Sequence, residues 1–186
     1  MRAILRAMPW CLAIAALVAM ATPRDATAKR ASDIKYADVE RILKHKPHAT
    51  PADLAKAGAD IDSVLADMAS ARKLDPELRL RAARALGGYP GPRARAVLIT
   101  LATTPGDPTV LRCAAMDALA RAFGPAVMSD IKPFLKDPDP VLRAGAARAL
   151  GAAGGTAARG LLEYALEHED VLEVRLAIDE ALARLR

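Results

Sequence analysis

The chain has 186 residues, of which 53% are hydrophobic and only 3% are aromatic. Alanine and leucine supply most of the apolar side chains, which favours helices packed through small residues and argues against a sheet rich in β-branched and aromatic residues. The 27 basic and 22 acidic residues leave a net charge of +5. That surplus is small for a protein that binds nucleic acid, and the aromatic residues that would stack on bases are few.

Residues 1–28 have the three parts of a secretory signal peptide. Two arginines precede a twelve-residue apolar run, Trp10–Ala21, and the small residues Ala26 and Ala28 follow at the spacing of a cleavage site. The run is shorter than the roughly 20 residues that a membrane-spanning helix needs. The sequence therefore predicts cleavage after Ala28 and a periplasmic or secreted protein without a membrane span. The alternative is an uncleaved N-terminal membrane anchor.

Cleavage would remove three arginines and one aspartate, which lowers the net charge to +3, and would leave Cys113 as the only cysteine. A single thiol cannot form an intramolecular disulfide, so the stability of the mature chain must come from packing. Cys113 lies in an alanine-rich helical segment, and we expect it to be a small buried apolar residue.

The sequence of residues 29–57 predicts an N-terminal helical cap or a degenerate first repeat. Apolar residues at helical spacing predict a short helix within 34–45. Thr50 followed by Pro51 is typical of a helix start, and Gly58 of a helix end.

Residues 58–186 contain a repeat whose clearest marker is an arginine. The marker recurs at intervals of 33, 31 and 32 residues, at Arg79, Arg112, Arg143 and Arg175. Apolar residues stand one position before each arginine and three, six and seven positions after it, so they share one helical face. A second apolar segment follows in each period. Each unit is therefore predicted to be a helix pair, and such a pair buries its apolar face only by stacking on its neighbours.

The repeat also contains signals for helix ends. An aspartate next to a proline predicts a helix N-cap at three places: Asp75, Asp107 and Asp139. Gly87 and Gly151 are predicted to end helices in the left-handed conformation. Pro133 lies inside an otherwise helical segment and is predicted to kink or divide that helix.

The stretch DPELRLRAARALGG, residues 75–88, resembles the HEAT-repeat family in its short bacterial form, whose pattern is roughly Asp-Pro-x-Val-Arg-x-x-Ala-Ala-x-Ala-Leu-Gly. Residues 138–151 also fit this pattern. Residues 107–120 contain one extra residue before the arginine, and residues 170–183 lack the proline and the glycine.

This resemblance covers about residues 58–186. It implies an all-α fold, a right-handed α-solenoid of stacked antiparallel helix pairs. It also implies that the four marker arginines form hydrogen bonds with acidic residues of adjacent units. Their acidic partners would be Asp75, Asp107 and Asp139.

Patterns for catalysis, metals and cofactors are sparse. His45 and His48 have no third ligand at a recognisable spacing, so a solvated loop is the expected setting. His168-Glu169 is similar to the iron-binding pairs of one class of HEAT-repeat enzyme, the deoxyhypusine hydroxylases, but it occurs once. No Ser/His/Asp or Cys/His set and no glycine-rich phosphate loop can be assembled. The sequence therefore predicts no catalytic residue, no metal and no cofactor.

In HEAT-like solenoids the second helix of each pair lines the concave side. The polar positions of these helices define the predicted interaction face: Arg93, Arg95, Asp130, Lys132, Lys136, Arg159, Glu163 and Glu167. A groove of mixed charge suits a protein or peptide partner. The same residues are equally compatible with an ordinary solvated face.

The leading hypothesis is an exported, non-catalytic adaptor or scaffold that mediates protein–protein interaction in the periplasm or cell envelope. The alternative is an enzyme or enzyme subunit that acts on a protein substrate, because the repeats resemble those of bilin lyases. That alternative needs a cleft with converging polar groups, for example around Cys113 or His168. A third hypothesis is a structural subunit that oligomerises through its end faces.

Overall fold

The computed structural model describes the backbone of residues 23–185 and the side chains from Asp33 onward, except that of Ile34. Most of the predicted signal peptide therefore lies outside the described residues. The described part is helical throughout and has no strand. Its α-helices are α1 (Pro23–His45), α2 (Pro51–Leu54), α3 (Ile61–Ser70), α4 (Pro76–Leu86), α5 (Pro92–Thr103), α6 (Thr109–Phe123), α7 (Met128–Ile131), α8 (Pro140–Ala153), α9 (Thr156–Glu167) and α10 (Leu172–Arg184). Three 3₁₀ helices cover Ala55–Ala57, Gly124–Val127 and Lys132–Lys136.

The helices stack in a row of pairs, as the repeat predicts. The first helices of successive units, α4, α6, α8 and α10, each pack on the next, and α3 packs on both α4 and α5. The buried residues of these helices include many alanines, among them Ala82, Ala115 and Ala146, each fully buried. Because alanine is small, the helix backbones lie close together. The predicted all-α solenoid of stacked helix pairs is confirmed.

Each of the four marker arginines reaches back to the end of the preceding second helix. Arg79 donates from Nε to the carbonyl oxygen of Ala69 at 3.1 Å, and Arg112 donates to that of Ala102 at 2.8 Å. Arg143 donates to a backbone carbonyl just after the 3₁₀ helix Lys132–Lys136. Arg175 donates to one near the end of α9. The last carbonyls of a helix have no partner within it and carry partial negative charge, so a guanidinium is a favourable cap there.

Three of these arginines also connect their unit to the next through an acidic side chain. Arg79 contacts Asp107 at 2.9 Å, and both side chains are less than a tenth exposed. Arg143 holds both carboxylate oxygens of Glu169, at 2.7 and 3.0 Å. Arg112 lies 3.7 Å from Asp137.

Two of the three predicted acidic partners are therefore wrong. Asp75 and Asp139 cap α4 and α8, where their carboxylates accept backbone N–H groups of the first turn. The predicted N-cap role is correct for both residues. It is wrong for Asp107, because α6 begins at Thr109 with Pro108 in the N-cap position. The extra residue in this unit moves Asp107 away from the helix start, and its carboxylate pairs with Arg79 instead.

The two glycines predicted to end helices in the left-handed conformation are not left-handed, and both allow close helix packing. Gly87 does follow the last residue of α4 as its C-cap, but its φ is −61°, whereas Gly151 lies inside α8. A Cβ atom on Gly151 would lie 2.8 Å from Cβ and 2.9 Å from Cα of Ala181 in α10. Gly87 meets Ala118 of α6 in the same way, at 3.0 Å. In both units the glycine leaves room for the next helix to come close. The α8 helix ends three residues after Gly151, before Gly154, whose φ is +79°.

Pro133 divides its segment, as the sequence predicts. The chain there forms α7 and then the 3₁₀ helix Lys132–Lys136, with Pro133 in its first turn. Proline has no N–H group to continue an α-helix, and its ring fixes φ. This unit consequently lacks a long second helix, and the 3₁₀ helix lies beside α8.

The N-terminal region packs on the first units. Val39 and Leu43 of α1 are fully buried. Thr50 caps α2 through a reciprocal pair of hydrogen bonds with Asp53. Gly58, with φ +113°, ends the short helical segment that follows. The predicted cleavage point after Ala28 falls inside α1, which begins at Pro23.

Candidate functional site

An open cleft of about 1020 Å³ lies between the 3₁₀ helix Lys132–Lys136 and α9. Polar and apolar residues line it in equal number: Lys132, Pro133, Leu135, Lys136, Asp137, Pro138, Arg143, Leu161, Tyr164, Ala165, His168, Glu169, Asp170 and Val171. The cleft results from Pro133. This proline prevents a full-length second helix in its unit, so only a short 3₁₀ helix lies opposite the full-length α9. This volume is at the upper end of the range for small-ligand cavities.

One side of the cleft is the lysine wall, formed by Lys132, Pro133, Leu135 and Lys136. Both lysines are exposed, and neither forms an ion pair with any residue in the part of the chain described here. Leu135 is half-buried and packs on the core. The lysine wall therefore combines two available positive charges with apolar surface.

The opposite side is the α9 wall, formed by Leu161, Tyr164, Ala165 and His168. The rings of Tyr164 and His168 are stacked, with centroids 4.2 Å apart. Nδ1 of His168 lies 2.8 Å from the carbonyl oxygen of Tyr164, so it donates there, and Nε2 has no hydrogen-bond partner among the described residues. Tyr164 is 54% exposed, and Nζ of Lys136 lies 6.0 Å from its ring centroid. An ammonium group at this distance from an aromatic face is attracted to it.

The base of the cleft is the ion pair between Arg143 and Glu169. Glu169 also accepts the backbone N–H of Val171 at 3.0 Å. The hydrogen bonds from Arg143 lower the pKa of the Glu169 carboxyl below its usual value, so this carboxylate stays charged and paired. Asp137 is likewise near Arg112. The remaining acid in the lining is Asp170, which is exposed at the rim.

The structure brings only part of the predicted interaction face together at this cleft. Lys132 and Lys136 line it. Glu163 and Glu167 are exposed on α9 but do not line it, and Arg159 pairs with Glu163 and with the carbonyl of Leu185.

The other three members of that face lie before the cleft, two in α5 and Asp130 in α7. Arg93 contacts Asp67 at 2.7 Å and Arg95 contacts Asp130 at 2.8 Å. In each pair the two opposite charges neutralise each other across neighbouring second helices, so they offer little free charge to a partner.

Tyr164 and His168 are cleft residues that the predicted interaction face does not contain. That prediction collected charged positions only. A signal was present in the sequence, because Leu161, Tyr164, Ala165 and His168 recur at the three- and four-residue spacing of one helical face. The exposed aromatic ring on that face could have been noticed among so few aromatic residues.

Cys113 does not lie in the cleft. It is half-buried in α6, with Sγ 3.6 Å from the carbonyl oxygen of Val141, and it packs where α8 has Gly145. Burial raises the pKa of its thiol, which lowers the fraction of reactive thiolate. The sequence predicts a small buried residue here, and the structure shows a small residue that packs between helices but is only half-buried.

The described residues contain neither a membrane-spanning helix nor a cluster of metal ligands. Among residues 23–185, no helix is both long and apolar enough to cross a bilayer. Within the same described side chains, no three His, Cys, Asp or Glu residues are grouped so that they could hold a metal ion.

Comparison with known proteins relates one part of the chain to a family. No curated protein matches the chain. Residues 128–186, which run from α7 to the C-terminus and contain the whole cleft, match the family model of HEAT repeats. The match includes the units around Arg143 and Arg175, two of the four marker arginines. The chain is thus an all-α solenoid in which residues 128–186 are similar to HEAT repeats.

Proposed function

We propose that this protein is an exported, non-catalytic adaptor or scaffold that binds a polypeptide partner in the cleft between the lysine wall and the α9 wall. HEAT repeats in general serve as surfaces for protein–protein interaction. The single observation that supports a binding role here is the cleft itself, which has apolar surface on both walls and charges that are not paired internally.

The shape of the cleft favours a polypeptide over a small molecule. The cleft is only partly enclosed, whereas small-ligand sites bury most of their ligand. Its apolar lining and the exposed Tyr164 ring resemble the composition of the core of a protein interface, where aromatic residues are enriched. The lysines stand at the edge of this surface, where charges set orientation and selectivity.

Photocrosslinking in cells tests this proposal. With Tyr164 replaced by benzoylphenylalanine, we expect discrete adducts of higher mass that contain a second polypeptide. The same substitution at Glu180, an exposed position on α10 outside the cleft, is the matched control and is expected to give none. Adducts that are absent at position 164, or equal at both positions, would contradict a binding role for the cleft.

The export part of the proposal is supported by the sequence of residues 1–28. We expect N-terminal sequencing of the protein purified from an envelope or medium fraction to read Lys-Arg-Ala-Ser, the residues that follow Ala28. A chain that still begins at Met1 and stays with the membrane would favour the uncleaved anchor. A chain found with the soluble cell contents would refute export.

An enzyme or enzyme subunit that acts on a protein substrate is the second candidate. The observation in its favour is that His168 and two lysines converge on one cleft. Against it, Glu169 is held by Arg143, and Nδ1 of His168 donates to the carbonyl oxygen of Tyr164 and not to a carboxylate. A crosslinked partner that gains or loses mass on incubation with the protein, and no longer does so with His168→Ala, would favour the enzyme.

A further inference from the structure

We propose that the cleft selects an extended acidic segment of its partner in which an apolar residue stands between two acidic residues. This inference rests on the proposed function and specifies the chemistry of the partner at the same site. It follows from the charge of the lysine wall, from the apolar and aromatic surface of the α9 wall, and from the distance between the two lysines.

The charges that remain available in the cleft are mostly positive. Glu169 is committed to Arg143, and Asp137 lies beside Arg112. Lys132 and Lys136 have no acidic partner among the described residues, and Asp170 at the rim is the one acid of the lining outside these pairs. A partner that enters between the walls therefore meets two cations along one side, and carboxylates are the complementary groups.

The α9 wall offers apolar contact in the same cleft, close to these cations. Leu161 is half-buried and Tyr164 is 54% exposed. The ammonium group of Lys136, 6.0 Å from the Tyr164 centroid, lies at the boundary between the two kinds of surface. A carboxylate that binds this lysine consequently has apolar surface beside it, which an adjacent apolar side chain can bury.

The spacing of the lysines matches the side-chain repeat of an extended chain. Lys132 and Lys136 are four residues apart in a 3₁₀ helix, which rises about 2 Å per residue, so their backbones are roughly 8 Å apart. In an extended peptide, residues i and i+2 point to the same side and are about 6.6 Å apart. The flexible lysine side chains cover the difference. Two acids at i and i+2 can therefore face the lysine wall while residue i+1 faces the α9 wall.

Fluorescence anisotropy with labelled peptides and the full chain tests the inference. The probe contains Glu-Phe-Glu between Gly-Ser flanks, and three matched peptides contain Lys-Phe-Lys, Glu-Ser-Glu or the reordered Phe-Glu-Glu. We expect Glu-Phe-Glu to bind at least about tenfold more tightly than the first two and measurably more tightly than the third. We also expect its affinity to fall as salt is added, because the lysines are exposed to solvent.

Variants of the full chain assign the binding to the cleft. The double variant Lys132→Glu/Lys136→Glu is expected to raise the Kd of Glu-Phe-Glu about tenfold or more. The control Lys56→Glu/Lys73→Glu makes the same change of net charge at two exposed lysines outside the cleft and is expected to leave the Kd unchanged. All four positions are exposed, so both variants should keep the parent melting temperature.

Several outcomes would overturn the inference. These are equal binding of Lys-Phe-Lys, equal binding of Glu-Ser-Glu, an unchanged Kd in the Lys132/Lys136 variant, or no binding of Glu-Phe-Glu at about 1 mM. A crosslinked partner that contacts position 164 through a basic or neutral segment would overturn the inference and leave the proposed function standing. The proposed function itself fails if position 164 gives no polypeptide adduct.

Discussion

Replacing Arg79 with alanine is expected to lower the free energy of unfolding by about 3–5 kcal/mol. The substitution leaves the carboxylate of Asp107 without its cation, in a place where that side chain is only 5% exposed. It also removes the donor that caps the carbonyl of Ala69 at the end of α3. A buried charge or carbonyl that loses its partner carries its full desolvation cost. Urea denaturation followed by far-UV circular dichroism measures the loss.

Arg93 provides the matched control for this substitution. Its ion pair with Asp67 also joins two units, at 2.7 Å, but the two side chains are 53% and 66% exposed. Exposed pairs contribute about 0–1 kcal/mol, so we expect Arg93→Ala to have an effect in that range. Losses of similar size at Arg79 and Arg93 would mean that burial of the Arg79–Asp107 pair does not matter to the stack.

Replacing Ala146 with glutamate is expected to destabilise the protein by about 4 kcal/mol or more. Ala146 lies in α8, which packs on both α6 and α10, and its side chain is fully buried. A glutamate there must either bury an unpaired carboxylate or push apart helices that contact one another through alanines. Thermal unfolding measures the effect, and we expect the cooperative transition to disappear or to fall by many degrees.

The same substitution at Ala96 separates burial from helix propensity. Ala96 is an exposed residue within α5, so Ala96→Glu places the same side chain in a helix without burying it. We expect a change within about 0.5 kcal/mol. A melting temperature that stays unchanged in Ala146→Glu would refute the stacking register, since that register predicts burial on two sides of α8.

The order of helices could be predicted because the repeat specifies it many times. Apolar spacing, the arginine period and proline positions all indicated helix pairs, and such signals are local in sequence. The division of one helix at Pro133 followed from the missing N–H group of proline. These predictions needed no knowledge of which surfaces meet.

The details that were wrong depend on how neighbouring units meet. Gly151 has the sequence context of a helix end, but the approach of Ala181 from α10, thirty residues later, decides its role. Arg143 pairs with Glu169 because the loop before α10 passes beside it, whereas the nearer Asp139 is already used as a cap. Sequence periodicity does not give these distances.

The candidate site was predictable only in part for the same reason. Lys132 and Lys136 could be assigned to a second-helix face. The sequence does not show that these two lysines lack ionic partners. It also does not show that Arg93 and Arg95 pair with Asp67 and Asp130 of neighbouring units, because both facts depend on three-dimensional positions. The cleft itself arises because a short 3₁₀ helix faces a full-length α9, and that contrast lies between two units.

A double-mutant cycle on Arg79 and Asp107 tests most directly whether the units are joined by the arginine of one and the acid of the next. The free energies of unfolding of the parent, Arg79→Ala, Asp107→Ala and the double variant give the coupling between the two side chains. We predict a coupling of about 2 kcal/mol, with the double variant much less destabilised than the sum of the single ones. A coupling below about 0.5 kcal/mol, with additive losses, would contradict this account of the stack.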